Sequence, residues 1–489
     1  MKLTNRKIVA ILAGPLAFLF ILFFFHPKGL SLQANAVLAS TVWMAIWWIT
    51  EAISIFATAL LPIILFPLTG GLALTKTTAS FGHRYIFLFL GGFLVAIAIE
   101  KWNLHKRIAL SIINLIGTNI KRIILGFMIA TAFLSMWISN TATTVMMLPI
   151  GLAIVAQLKL SFGEDGIDSK LFAKALMLAI AYSASIGGMA TLIGTPPNLV
   201  LAGVVQQTYG VEITFSQWLL FGLPISCLLL FISWKYLTNF AFQFQQKELP
   251  GGKQEIRKLL RELGKIRFEE KIVLVVFVVT AVLWISRSLI QKIIPAIDDT
   301  IIAMVAGLSL FLLPTKTKGK RIIDWGDAVK VHWGVLLLFG GGMALAEGFK
   351  VSGLAVWIAG HLTLLQSLTL LFLVAVLIAS VNFLTEITSN LATTAMLLPI
   401  IASIALAIDV HPYLLMVSAT IAASCAFMLP VATPPNAIVF GSGYLKIPDM
   451  VRTGIWMNLV SIVLLTIFVY FILPHLWGFD PSVFPVSLK

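Results

Sequence analysis

Residues 139–150 read SNTATTVMMLPI and residues 389–400 read SNLATTAMLLPI, so nine of twelve positions are identical across a separation of 250 residues. Each copy begins with small polar residues inside a long apolar segment. Ser, Asn and Thr side chains hydrogen-bond to nearby backbone groups and therefore favour turns and helix N-caps. Both copies predict the tip of a helical hairpin, at which the second helix of that hairpin begins.

A second motif is repeated further along the chain. GTPPN at 194–198 corresponds to ATPPN at 432–436, now with a separation of 238 residues. Paired prolines interrupt a helix, because proline lacks an amide donor and disfavours helical structure in the residue before it. Each half of the chain is therefore predicted to contain one hairpin and one broken helix. The predicted hairpins are 122–157 and 367–405, and the predicted broken helices are 172–206 and 412–440.

The composition indicates a membrane protein. Of 489 residues, 59% are hydrophobic and 11% are charged, whereas a soluble domain has about 25% charged residues. The apolar segments have the roughly 17 to 25 residues that a helix needs to cross a bilayer. We predict an all-α integral membrane protein with about 11 transmembrane helices and two re-entrant helical hairpins. The predicted spans lie near 8–25, 34–50, 54–69, 84–100, 172–206, 216–240, 271–290, 299–314, 333–348, 412–440 and 455–474. Because each half then contains an odd number of crossings, the two halves form inverted repeats, as in secondary transporters.

The net charge of +14 is concentrated in loops between the apolar segments. Loop 247–271 contains eight Lys and Arg residues, and loop 315–321 contains four more. By the positive-inside rule, both loops and the N-terminus are cytoplasmic, and the C-terminus lies on the other side. We therefore predict a multi-pass protein of the cytoplasmic (inner) membrane. Since the basic residues do not form a soluble face, we expect no nucleic-acid partner.

These predictions divide the chain into four parts. An N-terminal transmembrane helix is followed by the first inverted repeat, a basic cytoplasmic linker and the second inverted repeat. The predicted boundaries are 1–33, 34–240, 241–270 and 271–489. The segments 103–119 and 353–366, which precede the two hairpins, are amphipathic and are predicted to be either interfacial arms or short connecting helices.

The two hairpin tips and the two TPPN segments resemble those of the divalent anion/sodium symporter family, the INDY-type sodium-coupled dicarboxylate carriers. The segment LPVATPPNAIVFGSG at 429–443 is similar to the signature of that family, and the resemblance extends over essentially the whole chain. It implies sodium-coupled transport of C4 dicarboxylates, such as succinate, malate or fumarate, by an elevator-type mechanism in a homodimer. Sodium ions would be co-transported, and membrane lipid would be a further partner.

The same resemblance implies a set of site residues in each half. The first sodium site would use Ser135, Ser139, Asn140 and Gly194. The second sodium site would use Thr385, Thr388, Asn390 and Ala432. The dicarboxylate would contact Ser139, Asn140, Thr141, Thr195, Ser389, Asn390 and Thr433. The separations of 250 and 238 residues independently pair Ser135 with Thr385 and Gly194 with Ala432.

Three features of the motifs bear on the chemistry. Leu391 departs from the S-N-T pattern of the first tip, which affects substrate choice and affinity rather than the type of reaction. The motifs contain no Lys or Arg, so helix termini and sodium ions have to balance the two carboxylates. Glu386, one turn before the second tip, is predicted either to hydrogen-bond backbone within the hairpin or to serve as a cation ligand or proton relay.

Alternative functions remain open within transport and outside it. A dicarboxylate exchanger and a carrier of citrate or sulfate have the same general plan. An ion channel needs a continuous polar pore rather than two hairpin tips. An intramembrane hydrolase needs a base near Ser139 or Ser389, and the sequence shows none there. We therefore expect a transporter without catalytic residues, not an enzyme.

Overall fold

The computed structural model describes residues 5–116, 119–162, 167–245, 252–361 and 368–488. Within these ranges the regular secondary structure is helical. The prediction of an all-α membrane protein is therefore confirmed. Parts of the predicted linker 241–270, of the predicted arms 103–119 and 353–366, and of the hairpin 367–405 lie outside the described residues.

The first half of the chain contains helices α1 to α12, and two of their breaks coincide with the sequence motifs. The helices are α1 Asn5–Phe24, α2 Leu32–Thr50, α3 Ile55–Thr58, α4 Leu61–Thr69, α5 Leu74–Ala79, α6 Arg84–Lys101, α7 Leu104–Ile116, α8 Ile120–Ser135, α9 Asn140–Phe162, α10 Ile167–Met189, α11 Pro196–Tyr209 and α12 Phe215–Tyr236. Helices α8 and α9 meet at the first SN motif, and α10 and α11 are separated by the first TPP motif.

The second half contains helices α13 to α25 and repeats this order. The helices are α13 Gly252–Glu262, α14 Phe268–Ile285, α15 Arg287–Ile290, α16 Asp299–Leu312, α17 Trp325–Ala328, α18 Trp333–Ser352, α19 Leu354–His361, α20 Leu370–Leu384, α21 Asn390–Ala407, α22 Pro412–Ala423, α23 Pro434–Phe440, α24 Ile447–Ile467 and α25 Leu473–Trp477. Helices α20 and α21 meet at the second SN motif, and α22 and α23 are separated by the second TPP motif.

Nine helical segments of the described residues are long and apolar enough to cross a membrane. They are Lys7–Phe24, Leu32–Thr50, Leu74–Lys101, Asn140–Lys159, Asp168–Met189, Phe215–Ala241, Trp333–Ser352, Asn390–Ala407 and Ile447–Trp477. Two of them are the second helices of the hairpins, and the rest coincide with predicted spans. The other predicted spans are not among these nine segments, because their helices are interrupted or short. Helix α14 is long enough but begins with several charged residues. The count of eleven spans therefore stays a prediction.

The hairpins and the broken helices pack against one another. Helix α10 contacts both helices of the first hairpin, and α22 contacts both helices of the second. The halves also exchange contacts, since α9 packs against α23 and α21 packs against α11. This arrangement brings both hairpin tips and both helix breaks close to one another. The division into inverted repeats and the entry and exit of each hairpin on one side of the membrane stay predictions.

A second group of helices packs beside the hairpins and broken helices, and one of its contacts depends on a small residue. This group consists of α2, α3, α6, α14, α16 and α18. Helix α6 packs closely against α16. At Gly91, a Cβ atom would lie 2.5 Å from the carbonyl carbon of Ala303, a separation that side chains do not tolerate. The missing side chain therefore lets the two backbones approach, as small residues do between membrane helices. This contact explains why the first of the two glycines in FLGGF at 89–93 is required.

Candidate functional site

The two hairpin tips are stabilised by matching hydrogen bonds. At the first tip, the Ser135 hydroxyl donates to Asn140 Oδ1 at 2.6 Å. At the second tip, the Thr385 hydroxyl donates to Asn390 Oδ1, also at 2.6 Å. Each bond joins the last turn of one helix to the first residue of the next. Each asparagine side chain is therefore held across its turn.

The same two hydroxyls connect each hairpin to the broken helix of its own half. Ser135 Oγ lies 2.7 Å from the Ala184 carbonyl oxygen, and Thr385 Oγ1 lies 3.0 Å from the Ala423 carbonyl oxygen. Both hydroxyl-bearing residues are fully buried. Since a hydroxyl has one proton and two lone pairs, each of these oxygens keeps acceptor capacity that a cation could use.

The helix breaks are held by the asparagine that follows the paired prolines. Asn198 Nδ2 donates to the Thr191 carbonyl at 2.8 Å, and Asn436 Nδ2 donates to the Leu429 carbonyl at 3.0 Å. Carbonyls that lost their helical partners at the break are satisfied in this way. In both halves the asparagine Oδ1 is buried without a hydrogen-bond partner among the described residues. An acceptor oxygen thus remains unused beside each break.

A cavity of about 590 Å³ lies between the two tips and the two breaks. All seven predicted substrate residues line it, namely Ser139, Asn140, Thr141, Thr195, Ser389, Asn390 and Thr433. Gly194, Thr388 and Ala432 of the predicted sodium sites line it as well. Ser135 and Thr385 do not line it, because they are fully buried behind the tips. The structure therefore brings the predicted residues together without testing their roles.

Oxygen atoms converge around Gly194, where the first sodium site is predicted. A Cβ atom at this glycine would lie 2.6 Å from the Gly188 carbonyl oxygen and 3.0 Å from both the Ser135 carbonyl oxygen and Thr191 Oγ1. A Cβ atom at Gly188 would in turn meet Asn140 Oδ1. The absent side chains leave a small space surrounded by oxygens. Hard cations bind to carbonyl and hydroxyl oxygens, so the atoms around this space are of the type that a hard cation such as sodium prefers.

The second predicted sodium site has a hydroxyl that the first one lacks. Thr388 Oγ1 donates to the Leu384 carbonyl at 2.8 Å and lies 2.7 Å from Thr393 Oγ1. The position equivalent to Thr388 in the first half is Ile138. Thr143, the counterpart of Thr393, consequently has a buried hydroxyl with no hydrogen-bond partner among the described residues. The two sites are related but not identical.

Four of the hydroxyls that line the cavity stand immediately before a helix, and only two of them make a capping hydrogen bond. Ser139 Oγ accepts the Ala142 amide at 3.3 Å, and Thr433 Oγ1 accepts the Asn436 amide at 3.2 Å, so both cap the helices that they precede. Thr195 and Ser389 occupy the same N-cap positions but make no capping hydrogen bond. The two breaks therefore differ from each other, and so do the two tips, in whether the hydroxyl caps the helix that follows.

Leu391 lines the cavity beside Asn390 and is only 7% exposed. Its counterpart Thr141, which also lines the cavity, is half-buried. The side chain of Leu391 thus faces the cavity while most of its surface packs against protein. Its effect on substrate choice stays a prediction.

Glu386 is hydrogen-bonded to backbone, but not within its own hairpin. Its carboxylate accepts the amides of Phe427, Met428 and Leu429 at 2.8 to 3.2 Å. It also accepts Asn458 Nδ2 at 2.8 Å. The expected backbone partners were those of the hairpin, whereas the observed ones belong to the break between α22 and α23. The reason is that the amides of this unwound segment have lost their helical acceptors.

The motifs did not identify the far wall of the cavity. This wall is formed by residues of the second group of helices and of the turns before them: Glu51, Ile55, Phe56, Phe89, Phe93, His332 and Val335. Glu51, Phe56 and His332 are exposed and mark the mouth. Desolvation at the cavity wall lowers the pKa of the His332 imidazole below its usual value, although part of the side chain stays exposed. One sequence pattern does point to this wall, because FLGGF at 89–93 resembles FGGGM at 339–343, again 250 residues further on.

Comparison with known proteins gives the family. A family model described as the sodium:sulfate symporter transmembrane region matches residues 5–477. A sodium-dependent dicarboxylate transporter, SdcS, of Staphylococcus saprophyticus is 50% identical over 490 residues, which cover 99% of this chain and 94% of the relative. SdcS of Staphylococcus aureus (strain USA300) is 48% identical over 492 residues, with the same coverage of 99% and 94%.

A solved structure supports the fold alone. It is that of Neisseria gonorrhoeae MtrF, which is described as illuminating a class of antimetabolite efflux pumps. The likeness has a TM-score of 0.59 at 14% identity and covers 96% of both chains. A family match over nearly the whole length, together with about half of all residues identical to SdcS, shows that this chain belongs to the sodium:sulfate symporter family, the divalent anion/sodium symporters.

Proposed function

We propose that this protein is a sodium-coupled secondary transporter of C4 dicarboxylates. The observation that carries the proposal is the cavity at which four helices, α9, α11, α21 and α23, begin. None of the described residues that line it is Lys or Arg. The names of the SdcS relatives, sodium-dependent dicarboxylate transporters, support the same substrate and the same ion.

The dicarboxylate is held by helix N-termini and by neutral donors. Each helix N-terminus carries the equivalent of about half a positive charge, so four of them provide up to roughly two positive charges around the cavity. The side-chain amides of Asn140 and Asn390 and the hydroxyls of Thr195 and Ser389 donate hydrogen bonds to the carboxylates. A substrate with two carboxylates has one negative group for each of the two tips that line the cavity. This is why a C4 dicarboxylate fits better than a single anion.

Sodium couples to the substrate through the geometry of the tips. In the first half, a cation near Gly194 contacts oxygens of the tip and of the helix break, and Asn140 belongs to both the ion site and the substrate cavity. In the second half, Asn390 likewise belongs to both the ion site and the substrate cavity, and Thr385 and Thr388 belong to the ion site. A bound cation therefore fixes the orientation of the asparagine that the substrate needs. Binding of the anion without sodium is correspondingly weak.

The direction of opening follows from the charge pattern. Glu51 ends α2 and His332 precedes α18, and the positive-inside rule puts both ends on the cytoplasmic side. The cavity is then open to the cytoplasm. The proposal includes an elevator-type transport movement within a homodimer. In this movement the hairpins and broken helices move against α2, α6, α14, α16 and α18. The mutual packing of the hairpins and broken helices supports it.

Two further parts of the proposal concern topology. The matched hydrogen bonds at Asn140 and Asn390 support two repeats, whose opposite orientation follows from the predicted odd number of crossings. The basic loops support a location in the cytoplasmic membrane with the N-terminus inside and the C-terminus outside. Since the family consists of transporters, the function is transport and not catalysis.

Uptake into proteoliposomes tests the function. We expect labelled succinate to accumulate when sodium is higher outside, and not when potassium replaces sodium. Asn140→Ala and Asn390→Ala are each expected to abolish uptake while the protein remains folded, and Lys318→Ala, an exposed loop variant, serves as the control. Near-normal uptake by either asparagine variant removes the assignment of the tips. Equal uptake in potassium points to an exchanger instead.

A further inference from the structure

A second cavity lies apart from the candidate substrate site and shares no lining residue with it. It has a volume of about 610 Å³ and lies where the beginning of α10, the end of α12 and the beginning of α24 meet. Helix α12 ends here in a π-helical turn, Leu237–Ala241. Such turns are rare and often occur at functional sites. The wider turn leaves Phe240 on the surface, with 75% of it exposed.

One end of this cavity is basic. Lys174 Nζ forms an ion pair with Asp449 Oδ1 at 2.8 Å. Arg452 is exposed and makes no hydrogen bond or ion pair with any residue that the structure describes. The three charged side chains that line the cavity therefore leave one positive charge uncompensated. A ligand with a single negative charge complements this end.

The opposite end of the cavity is apolar and faces outward. Trp456 is 57% exposed, and Val460 and Phe240 continue the same wall. Arg452, Trp456 and Val460 are spaced by four residues on α24, so they lie along one face of the helix. At 1.5 Å per residue, this face runs for roughly 12 Å from a cationic group to an apolar surface.

This order of groups suits an amphiphile, whose charged head group would lie at the basic end and whose apolar tail would lie along the apolar wall. A guanidinium binds phosphate oxygens with parallel hydrogen bonds, and a tryptophan near it occupies the boundary between head groups and acyl chains. The adjoining apolar wall faces the hydrocarbon. A soluble phosphate compound would leave this wall uncovered, and a zwitterionic lipid would bring a second positive charge towards Arg452.

We infer that this cavity binds one anionic phospholipid, with its phosphate on Arg452 and an acyl chain along Trp456 and Val460. The basic end of the cavity lies at the start of α24 and the end of α12, both on the predicted cytoplasmic side. The lipid therefore comes from the inner leaflet. Helix α24 also carries Asn458, which holds Glu386 at the helix break. The lipid therefore contacts the same helix that supports Glu386.

Lipid binding to the purified full-length protein tests this inference independently of transport. The probes are phosphatidylglycerol, phosphatidylcholine with the same acyl chains, and glycerol 3-phosphate, which has no acyl chain. Native mass spectrometry on delipidated protein counts the bound molecules and gives their affinities. We expect phosphatidylglycerol to bind with the highest affinity and to raise the melting temperature.

Two variants and one control locate the site. Arg452→Ala removes an exposed side chain without a partner, so it does not threaten folding, and it is expected to weaken the tightest phosphatidylglycerol site roughly ten-fold or more. Trp456→Ala is expected to weaken binding of both lipids. Lys318→Ala removes one exposed positive charge elsewhere and is expected to change nothing. The inference is overturned if Arg452→Ala binds like the unaltered protein, if phosphatidylcholine binds equally well, or if glycerol 3-phosphate competes at similar affinity.

Discussion

The difference between capping and non-capping hydroxyls at the cavity predicts that two similar substitutions have different effects on stability. Thr195→Val and Thr433→Val each remove a hydroxyl and keep the shape of the side chain. Both threonines precede a Pro-Pro pair at a helix break, and both line the cavity. Thr433 caps its helix through the Asn436 amide at 3.2 Å, whereas Thr195 makes no such bond.

The magnitudes follow from these contacts. Loss of an N-cap hydrogen bond costs about 0.5 to 2 kcal/mol of stability, so Thr433→Val is expected to destabilise the protein by this amount and Thr195→Val by almost nothing. A capping hydroxyl still has its proton to donate. Each threonine can therefore donate to a substrate carboxylate, a bond of about 1.5 to 3 kcal/mol. Both variants are expected to bind succinate roughly 10- to 150-fold more weakly.

The assay has two readouts on the same purified protein. The melting temperature without substrate reports the cap, and the half-saturation constant for succinate at saturating sodium reports the substrate contact. Thr69→Val is the control, since the Thr69 hydroxyl bonds to the Leu65 carbonyl of its own helix at 2.7 Å, away from the cavity. We expect it to leave the half-saturation constant unchanged.

Either of two results would refute this reasoning. If Thr195→Val lowers the melting temperature as much as Thr433→Val does, the two hydroxyls do not differ as described. If Thr195→Val leaves the half-saturation constant unchanged, its hydroxyl does not contact the substrate.

Three further predictions concern the rest of the molecule. Arg287 is buried and paired with Glu212 at 2.6 Å and Asp299 at 3.1 Å. Because Arg287→Met leaves buried charge unpaired, it is expected to lower the free energy of unfolding by about 3 to 5 kcal/mol. Lys258→Met, in an exposed pair, is expected to lower it by less than about 1 kcal/mol, and thermal denaturation of both variants measures the difference. Leu391→Thr is expected to tighten succinate binding several-fold by adding a donor at the cavity, and an unchanged half-saturation constant with a lower melting temperature would contradict this. Lithium is expected to replace sodium poorly and potassium not at all in uptake assays, because the ion sites are small spaces between oxygens; equal uptake with potassium would count against them.

The hairpin tips and the helix breaks could be located from the sequence because their causes are local. Ser-Asn at 139–140 favours a helix start, and Pro-Pro at 196–197 prevents helix continuation wherever the chain is placed. Repetition of both motifs also indicated that the two halves share one plan. The membrane setting followed from composition alone.

The partners of individual polar groups could not be predicted in the same way. Glu386 accepts amides that lie 41 to 43 residues further along the chain, and no local pattern specifies that distance. Whether Thr195 or Thr433 caps its helix depends on small differences of geometry in two nearly identical motifs. The wall with Glu51 and His332 belongs to helices that reach the cavity only through tertiary packing.

The most direct test of sodium coupling at the tips uses Ser135→Ala and Thr385→Ala, because neither residue lines the substrate cavity. The measurement is the affinity of each purified variant for succinate as sodium is raised from micromolar to saturating concentration. We predict that the succinate affinity of the unaltered protein rises with the sodium concentration. Both variants are expected to need more sodium to reach a given succinate affinity, and saturating sodium is expected to restore most of the affinity of the unaltered protein. Succinate affinity that is independent of sodium, or variants that match the unaltered protein at every sodium concentration, would contradict the account.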